Sequence, residues 1–368
     1  MKKALVWIAG IAGLLAAIPL AGGEKIVGGP FTVGVTQWTA TMVWIVQSDE
    51  MTLRSETGTA TVTSPSLRVE RTTFTGLQPN TRYEYAIPGA GDAGTGSFKT
   101  PPPAGQPGPY RFAVYGDTRT RHDVHQRVIG ELMKHGIPDF ILHTGDLVAD
   151  GNDSALWPIF FGIEKDLLRK AVFFPSLGNH ERNTHYFREL FQEGVPYYSF
   201  DWGNGHFVVM NSDIENAGLN DRERSTFWTA QTRWLEDDLM THQKAEYRFV
   251  SAHHPPFTAV TRRQGDNPHM TALVAMFEKY HVSAAFFGHD HNYQHYLKNG
   301  VHYVTTGGGG APLYDVDAPP AGITQKVASV ENFVTVSVYG EIAHLTSLAI
   351  DGRTLEEFDI PSARHQSK

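Results

Sequence analysis

The residues of this chain that could do chemistry sit where apolar runs stop. Arg111–Tyr115 leads into Gly116-Asp117, Phe140–Thr144 into Gly145-Asp146, and Val172–Leu177 into Gly178-Asn179-His180-Glu181. Tyr247–Ala252 leads into His253-His254-Pro255-Pro256, and Ala284–Phe287 into Gly288-His289-Asp290-His291. Two Asp, one Asn and several His are hard-to-borderline donors, suited to Mn, Zn, Fe or Mg rather than copper(I). One Asp shared between two ions, with Asn and His completing the shells, describes a two-metal site. In such sites ions roughly 3.5–4 Å apart clamp the attacking and leaving oxygens of an in-line displacement. His289 and His291, two apart at a strand end, can each reach a different ion. Singly these signals are weak. Gly-Asp is often a turn or a cap, and His143, inside an apolar strand, reads as a core histidine. Gly-Asn-His-Glu and Gly-His-Asp-His are more specific, and the five together describe one site.

The elements that must position these residues follow from the pattern. Beyond residue 110, apolar strands alternate with helical stretches, which implies a layered α/β domain. In open α/β sheets ligands bind outside the carboxyl ends of the strands, so five such ends converge on one place. The earlier region, Ile26 to Thr100, reads instead as short strands: Phe31–Gln37, Thr41–Ile45, Gly58–Thr63, Ser66–Phe74, Arg82–Pro88 and Gly96–Lys99. That spacing predicts a small β-sandwich with Trp38 and Trp44 in its core. The stretch Leu77–Tyr85 carries a turn followed by a Tyr placed for a tyrosine corner. The whole region resembles a fibronectin type III module and carries no acid, base or ligand cluster, which gives it a scaffolding role. Pro101–Pro109 reads as a stiff, extended linker and sets the boundary.

Composition narrows the class. The chain has 368 residues, 18 His and no Cys, with 39 acidic against 31 basic residues and a net charge of −8. Without cysteine there is no disulfide scaffold, thiolate zinc finger, iron–sulfur cluster or cysteine nucleophile. The acidic balance argues against a nucleic-acid scaffold binder. Lys2 and Lys3, the apolar run Ala4–Leu20 and the small residues Ala21-Gly22-Gly23 predict a secretory signal peptide over residues 1–23, the alternative being a retained anchor. The expectation is therefore a periplasmic or secreted protein, off the membrane after cleavage.

In these motifs the chain resembles the calcineurin-like metallophosphoesterase superfamily, its purple acid phosphatase-like branch in particular. The Thr306-Gly307-Gly308-Gly309-Gly310 stretch fits that resemblance too. It implies an α/β (α+β) four-layer αββα sandwich over residues 110–362, two packed sheets flanked by helices, with residues 24–100 as the small all-β sandwich, 101–109 as linker and 363–368 as a tail. It implies two divalent or mixed-valence ions, Mn, Zn or Fe. The first would be held by Asp117, Asp146 and His291, the second by Asp146, Asn179, His253 and His289. His180 would face the substrate with Glu181 orienting it, and His254 would neighbour the ligands. The implied reaction is attack by a metal-bound hydroxide on the phosphorus of a small phosphate ester.

The chain departs from the family pattern at two positions. Most superfamily members carry a His two residues after the first Asp, where this chain has Arg119. Purple acid phosphatases carry a Tyr three residues after the bridging Asp, where it has Ala149. The first ion keeps three protein ligands, and no charge-transfer colour is expected. Arg119 either offers its guanidinium to substrate phosphate or pairs with a carboxylate such as Asp150 and shapes its loop. Arg262 and Arg263 are candidate phosphate contacts or solvated surface, and His269 stands with them. His122, His125, His281, His295 and His302 receive no role. Three functions follow: a phosphomonoesterase, a phosphodiesterase using the same site, and a catalytically weakened metal-binding protein.

Overall fold

The computed structural model describes residues 5–7, 14–20, 24–48, 51–55, 58–62, 66–182, 184–191, 196–216 and 218–363. Most of the expected leader, residues 1–23, lies outside them. Of that segment Leu15–Ala16 pairs with Tyr85–Ala86, and Leu15 is buried.

Two sheets carry the molecule. The elements of the first region are β1 (Glu24–Val33), β2 (Thr39–Ser48), β3 (Ser66–Thr75), β4 (Arg82–Ala86) and β5 (Thr95–Lys99). Then follow β6 (Tyr110–Tyr115), α1 (His122–Lys134), β7 (Phe140–His143), α2 (Leu156–Leu168), β8 (Val172–Pro175) and α3 (His185–Phe191). After them come β9 (Tyr198–Trp202), β10 (Gly205–Val209), α4 (Asp221–Thr241), β11 (Tyr247–Ser251), β12 (Ala284–Phe287), β13 (Tyr293–Lys298), β14 (Val301–Thr306), β15 (Thr324–Ala328), β16 (Asn332–Tyr339), β17 (Ile342–Ala349) and β18 (Thr354–Pro361). One sheet runs Leu5–Trp7, β3, β2, β1, β8, β7, β6, β16, β17, β18; the other runs β9, β10, β11, β12, β14, β13, β15.

The central strands are mostly apolar and almost wholly buried because both of their faces are covered, as parallel strands in layered folds require. Between the sheets, Phe112 of β6 meets Phe207, Phe249 and Phe286 of β10, β11 and β12 at ring distances of 5.4, 5.3 and 6.0 Å. Each such Phe contributes roughly 1.5–3 kcal/mol by burial. Outside the first sheet, Val128, Ile129 and Leu132 of α1 and Phe160 and Phe161 of α2 cover Ala113, Ile141 and Phe173. Outside the second, Leu235 and Leu239 of α4 pack with Val250, Ala285 and Phe287. Helix, sheet, sheet, helix is the expected four-layer order.

Register then aligns the chemistry. Tyr115 pairs with His143 and His143 with Pro175, so β6, β7 and β8 end side by side. Ser251 pairs with Phe286, placing His253 next to the turn after β12.

The first region differs from expectation in one residue and in its attachment. Trp44 is buried but Trp38 is 54% exposed, because it lies in the tight turn before β2 rather than on a strand face. The tyrosine corner is present: the Tyr83 hydroxyl accepts from the Gln78 N–H at 2.8 Å. β1 joins β8 in parallel at Thr32–Val172. Phe31 stacks on Phe161 at 4.6 Å and lies 5.6 Å from Phe191. The proline segment is docked as well, with Pro101 and Pro102 buried and the Gly105 N–H donating to the Gly203 carbonyl at 2.7 Å.

Candidate metal centre

Tight turns after the strands bring Asp117, Asp146, Asn179, His253, His289 and His291 together. Asp117, Asp146 and His289 all adopt positive φ, 58°, 57° and 69°. For non-glycine residues this left-handed conformation costs about 1–3 kcal/mol and clusters at functional sites. The preceding glycines permit the close approach. A Cβ on Gly178 would lie 2.2 Å from the Asp146 nitrogen, and one on Gly288 would lie 2.4 Å from Asp117 Oδ2.

Four ligand-capable atoms face one point. His253 Nε2 lies 3.0 Å from Asn179 Oδ1, 3.2 Å from His289 Nδ1 and 3.4 Å from Asp146 Oδ1, and Asn179 Oδ1 lies 3.1 Å from His289 Nδ1. Atoms about 2.0–2.1 Å from one zinc in a tetrahedral shell stand about 3.3–3.4 Å apart, so these spacings match the edges of such a shell. His253 Nδ1 donates to the Thr144 carbonyl at 2.8 Å, which leaves the Nε2 lone pair facing the cluster. Burial, opposed by that hydrogen bond, lowers the His253 pKa to about 3.

The neighbouring group is Asp117, Asp146 and His291. His291 Nδ1 donates to the Pro312 carbonyl at 2.7 Å, and Nε2 faces Asp117 Oδ1 at 3.5 Å. Burial drives the His291 pKa down to about 4, so the ring is neutral at pH 7. Asp117 Oδ1 is buried and accepts no hydrogen bond, while Oδ2 accepts from the His289 N–H at 2.9 Å. An orphaned carboxylate oxygen opposite a bare imidazole nitrogen fits a cation, and the donor set fits Mn, Zn or Fe. Burial, and then the charge of Asp146, push the Asp117 carboxyl well above its usual range.

Around these, His180 is fixed by Nδ1 donating to the Ala149 carbonyl at 2.7 Å, with Nε2 3.8 Å from Asp146 Oδ2. Its side chain is 27% exposed. Glu181 does not orient His180. Its carboxylate is fully buried and accepts from the backbone N–H groups of Gly178 (2.8 Å), Asp146 (2.9 Å) and Val148 (3.2 Å). It therefore pins the two loops that carry Asp146 and Asn179. Burial, then the Asp146 charge, raise its pKa to about 8 against those three donors.

Arg119 pairs with Asp146, Nε to Oδ2 at 3.3 Å, and Asp150 pairs with Arg182 instead. Arg263 contacts His289 Nε2 and donates to the Tyr314 hydroxyl at 3.2 Å. Arg262, at the surface, lies over the Tyr314 ring at 4.0 Å. His254 is buried with Nδ1 2.9 Å from Ser212 Oγ and its ring 4.2 Å from that of His289. His269 Nε2 donates to the Ser212 carbonyl at 3.1 Å. His143 is buried between Thr118 Oγ1 (3.3 Å) and the Gly145 N–H (3.2 Å).

Sequence reasoning missed Tyr314 and Ser212. Tyr314 stacks on His291 at 4.1 Å, from a loop distant in the chain. Ser212 had a readable signal, since β10 and Met210 form a sixth apolar run ending in polar residues, Asn211-Ser212-Asp213.

Comparison with known proteins places this constellation. The calcineurin-like phosphoesterase profile matches residues 110–293, half of the chain, and spans all six donors. The chain belongs to the calcineurin-like phosphoesterase family. It is 29% identical over 262 residues to purple acid phosphatase 21 of Arabidopsis thaliana, covering 64% of this chain and 56% of that one. It is 24% identical to a nucleotide pyrophosphatase/phosphodiesterase of Hordeum vulgare, covering 59% and 73%. Among solved structures, a purple acid phosphatase from yellow lupin (Lupinus luteus) seeds superposes with a TM-score of 0.70 over 90% of this chain and 74% of that chain, at 17% identity. The chain spans about half the length of most of the curated relatives it matches. These similarities point to the purple acid phosphatase-like branch of the family.

Proposed function

We propose that the protein is a periplasmic or secreted hydrolase of phosphate esters, a phosphomonoesterase, working with two divalent ions. The observation that carries this reading is the pairing of orphaned Asp117 Oδ1 with the bare His291 Nε2 beside the four-atom cluster at Asn179. Asp117, Asp146 and His291 would hold one ion, and Asp146, Asn179, His253 and His289 the other, with Asp146 shared. Ions held there supply Lewis acidity, acidifying water and neutralising charge on the phosphoryl oxygens.

The chain's own groups do the rest. Pro312 and Thr144 carbonyls hold the His291 and His253 rings in the tautomer that leaves Nε2 free. Glu181 fixes the spacing of the Asp146 and Asn179 loops. His180, held through Nδ1, presents Nε2 at the open side, where it can pass a proton to the departing oxygen. His254, Arg262 and Arg263 line the approach as substrate contacts. Ala149 offers no phenolate, so the protein should be colourless.

A phosphodiesterase is the second reading, favoured by similarity to the barley protein of that name. The test is hydrolysis of mono- and bis-p-nitrophenyl phosphate by metal-stripped protein, with Mn, Zn, Fe, Mg and Ca restored separately. Metal-dependent turnover with monoester preferred supports the proposal. Diester preference selects the second reading, and silence with every metal from folded protein overturns both.

A further inference from the structure

We propose that Arg119 is the residue that makes this site select phosphate monoesters. The inference rests on the hydrolase reading above and adds what the centre would grip. Arg119 stands two residues after Asp117, on the loop between β6 and α1, and its side chain is only 16% exposed. Among the described residues it forms one ion pair, Nε to Asp146 at 3.3 Å, its charge also acts on Asp117, and that Nε makes no hydrogen bond. His180 Nε2 approaches the same oxygen, Asp146 Oδ2, from the loop after β8 at 3.8 Å. Two nitrogen groups from separate strand ends therefore converge on one anionic oxygen. Asp146 Oδ2 belongs to the carboxylate that both ions would share. With an ion held on that carboxylate, the guanidinium would stand beside the centre with donors left for a bound anion.

Ester chemistry identifies that anion. A phosphate monoester carries about −1.5 to −2 charges near pH 7 and three strong acceptor oxygens. A diester carries one charge and two such oxygens. Two divalent ions against Asp117 and Asp146 leave two positive charges over, and Arg119 adds a third away from the ions. Ions can take two of the terminal oxygens, and the planar guanidinium fork suits the third. In a diester the third position holds an esterified oxygen and its second organic group. A guanidinium gains little there and has to make room.

A second arginine already anchors the loop that carries Arg119. The neighbouring loop cation, Arg121, holds the Gly310 and Ala311 carbonyls at 2.9 and 2.6 Å and pairs with Glu331 at 3.0 Å. Loop anchoring is thus supplied two residues away, while among the described residues Arg119 makes no hydrogen bond to a carbonyl.

The test uses full-length, metal-loaded protein with Arg119→Gln and Arg119→Lys. Metal content comes from elemental analysis, binding of inorganic phosphate from calorimetry, and kcat/KM from both p-nitrophenyl esters. Losing a charge-assisted contact should weaken phosphate binding about 10- to 100-fold in Arg119→Gln. The monoester-to-diester ratio of kcat/KM should fall at least about 10-fold, metal content should hold, and Arg119→Lys should recover part of both losses. Unchanged phosphate affinity with an unchanged ratio overturns the inference, as does a loss that follows loss of metal. A wild-type protein inert on both esters sinks the hydrolase reading instead, while its phosphate titration still reports on Arg119.

Discussion

Asp117 Oδ1 and His291 Nε2 face each other at 3.5 Å, the one without a hydrogen-bond donor and the other with its proton held on the far nitrogen by Pro312. Two buried acceptors in apposition are satisfied by a cation between them. Replacing Asn179 or His289 by Ala should abolish turnover and lower metal content while leaving the far-ultraviolet circular dichroism unchanged. The loss should exceed the roughly 10–100-fold typical of losing an outer-shell partner. Near-normal activity in either purified variant would remove these residues from the centre.

Arg119→His restores an imidazole where most superfamily members have one. The first position should then hold its ion more tightly, read as slower metal loss to a competing chelator. Faster loss would instead make Arg119 part of the support for that position.

Glu181 is a brace between loops, and the consequence is separable from catalysis. Glu181→Gln keeps one acceptor oxygen for three buried N–H groups and should cost about 1–3 kcal/mol in urea unfolding. The pH–rate profile of the remaining activity should keep its shape, because His180 takes its orientation from Ala149. A shifted profile with unaltered stability would restore Glu181 as the partner of His180.

Away from the centre, the His206 ring lies between two carboxylates, Nδ1 2.8 Å from Asp201 and Nε2 2.7 Å from Asp238, and stacks on His242 at 3.7 Å. Burial disfavours the charged ring, but the hydrogen bonds to Asp201 and Asp238 outweigh it and raise the pKa. Asp201 shifts down; burial acts against ionisation there and the His206 bond overcomes it. The raised His206 contributes fully below about pH 6.5 and loses its contribution as pH rises through the folded value. The lowered Asp201 contributes above about pH 4 and loses its share as pH falls through its folded value. The stability gap between wild type and His206→Gln should therefore be widest near pH 5–6 and shrink toward pH 9. A gap independent of pH would contradict the charged bridge.

Phe31 ties the first region to the helix-and-sheet layers through Phe161, Phe173 and Phe191. Phe31→Ala should cost about 3–5 kcal/mol in a single cooperative transition. Two separate transitions, with only the earlier one moved, would show that the regions unfold independently.

The donors could be read from sequence because each follows an apolar run and a tight turn, which is local information. A layered α/β domain followed from the alternation of apolar strands and helical stretches, whereas the four-layer order came from the family resemblance. What escaped depends on long-range contact. The pairing of β1 with β8, Tyr314 on His291 and Asp146 rather than Asp150 beside Arg119 all join segments far apart in the chain. Trp38 shows the limit of composition, since a large aromatic in a strand-rich stretch can still fall in a turn. Glu181 shows the limit of adjacency, because its carboxylate reaches loop amides rather than the imidazole beside it.

The most direct measurement is anomalous diffraction at the metal edge from crystals of Mn- or Zn-reconstituted protein, combined with elemental analysis. The account predicts two ions per chain, one among Asp117, Asp146 and His291 and one among Asp146, Asn179, His253 and His289, with Asp146 touching both. Ions bound elsewhere, or none retained at these six residues, would contradict it.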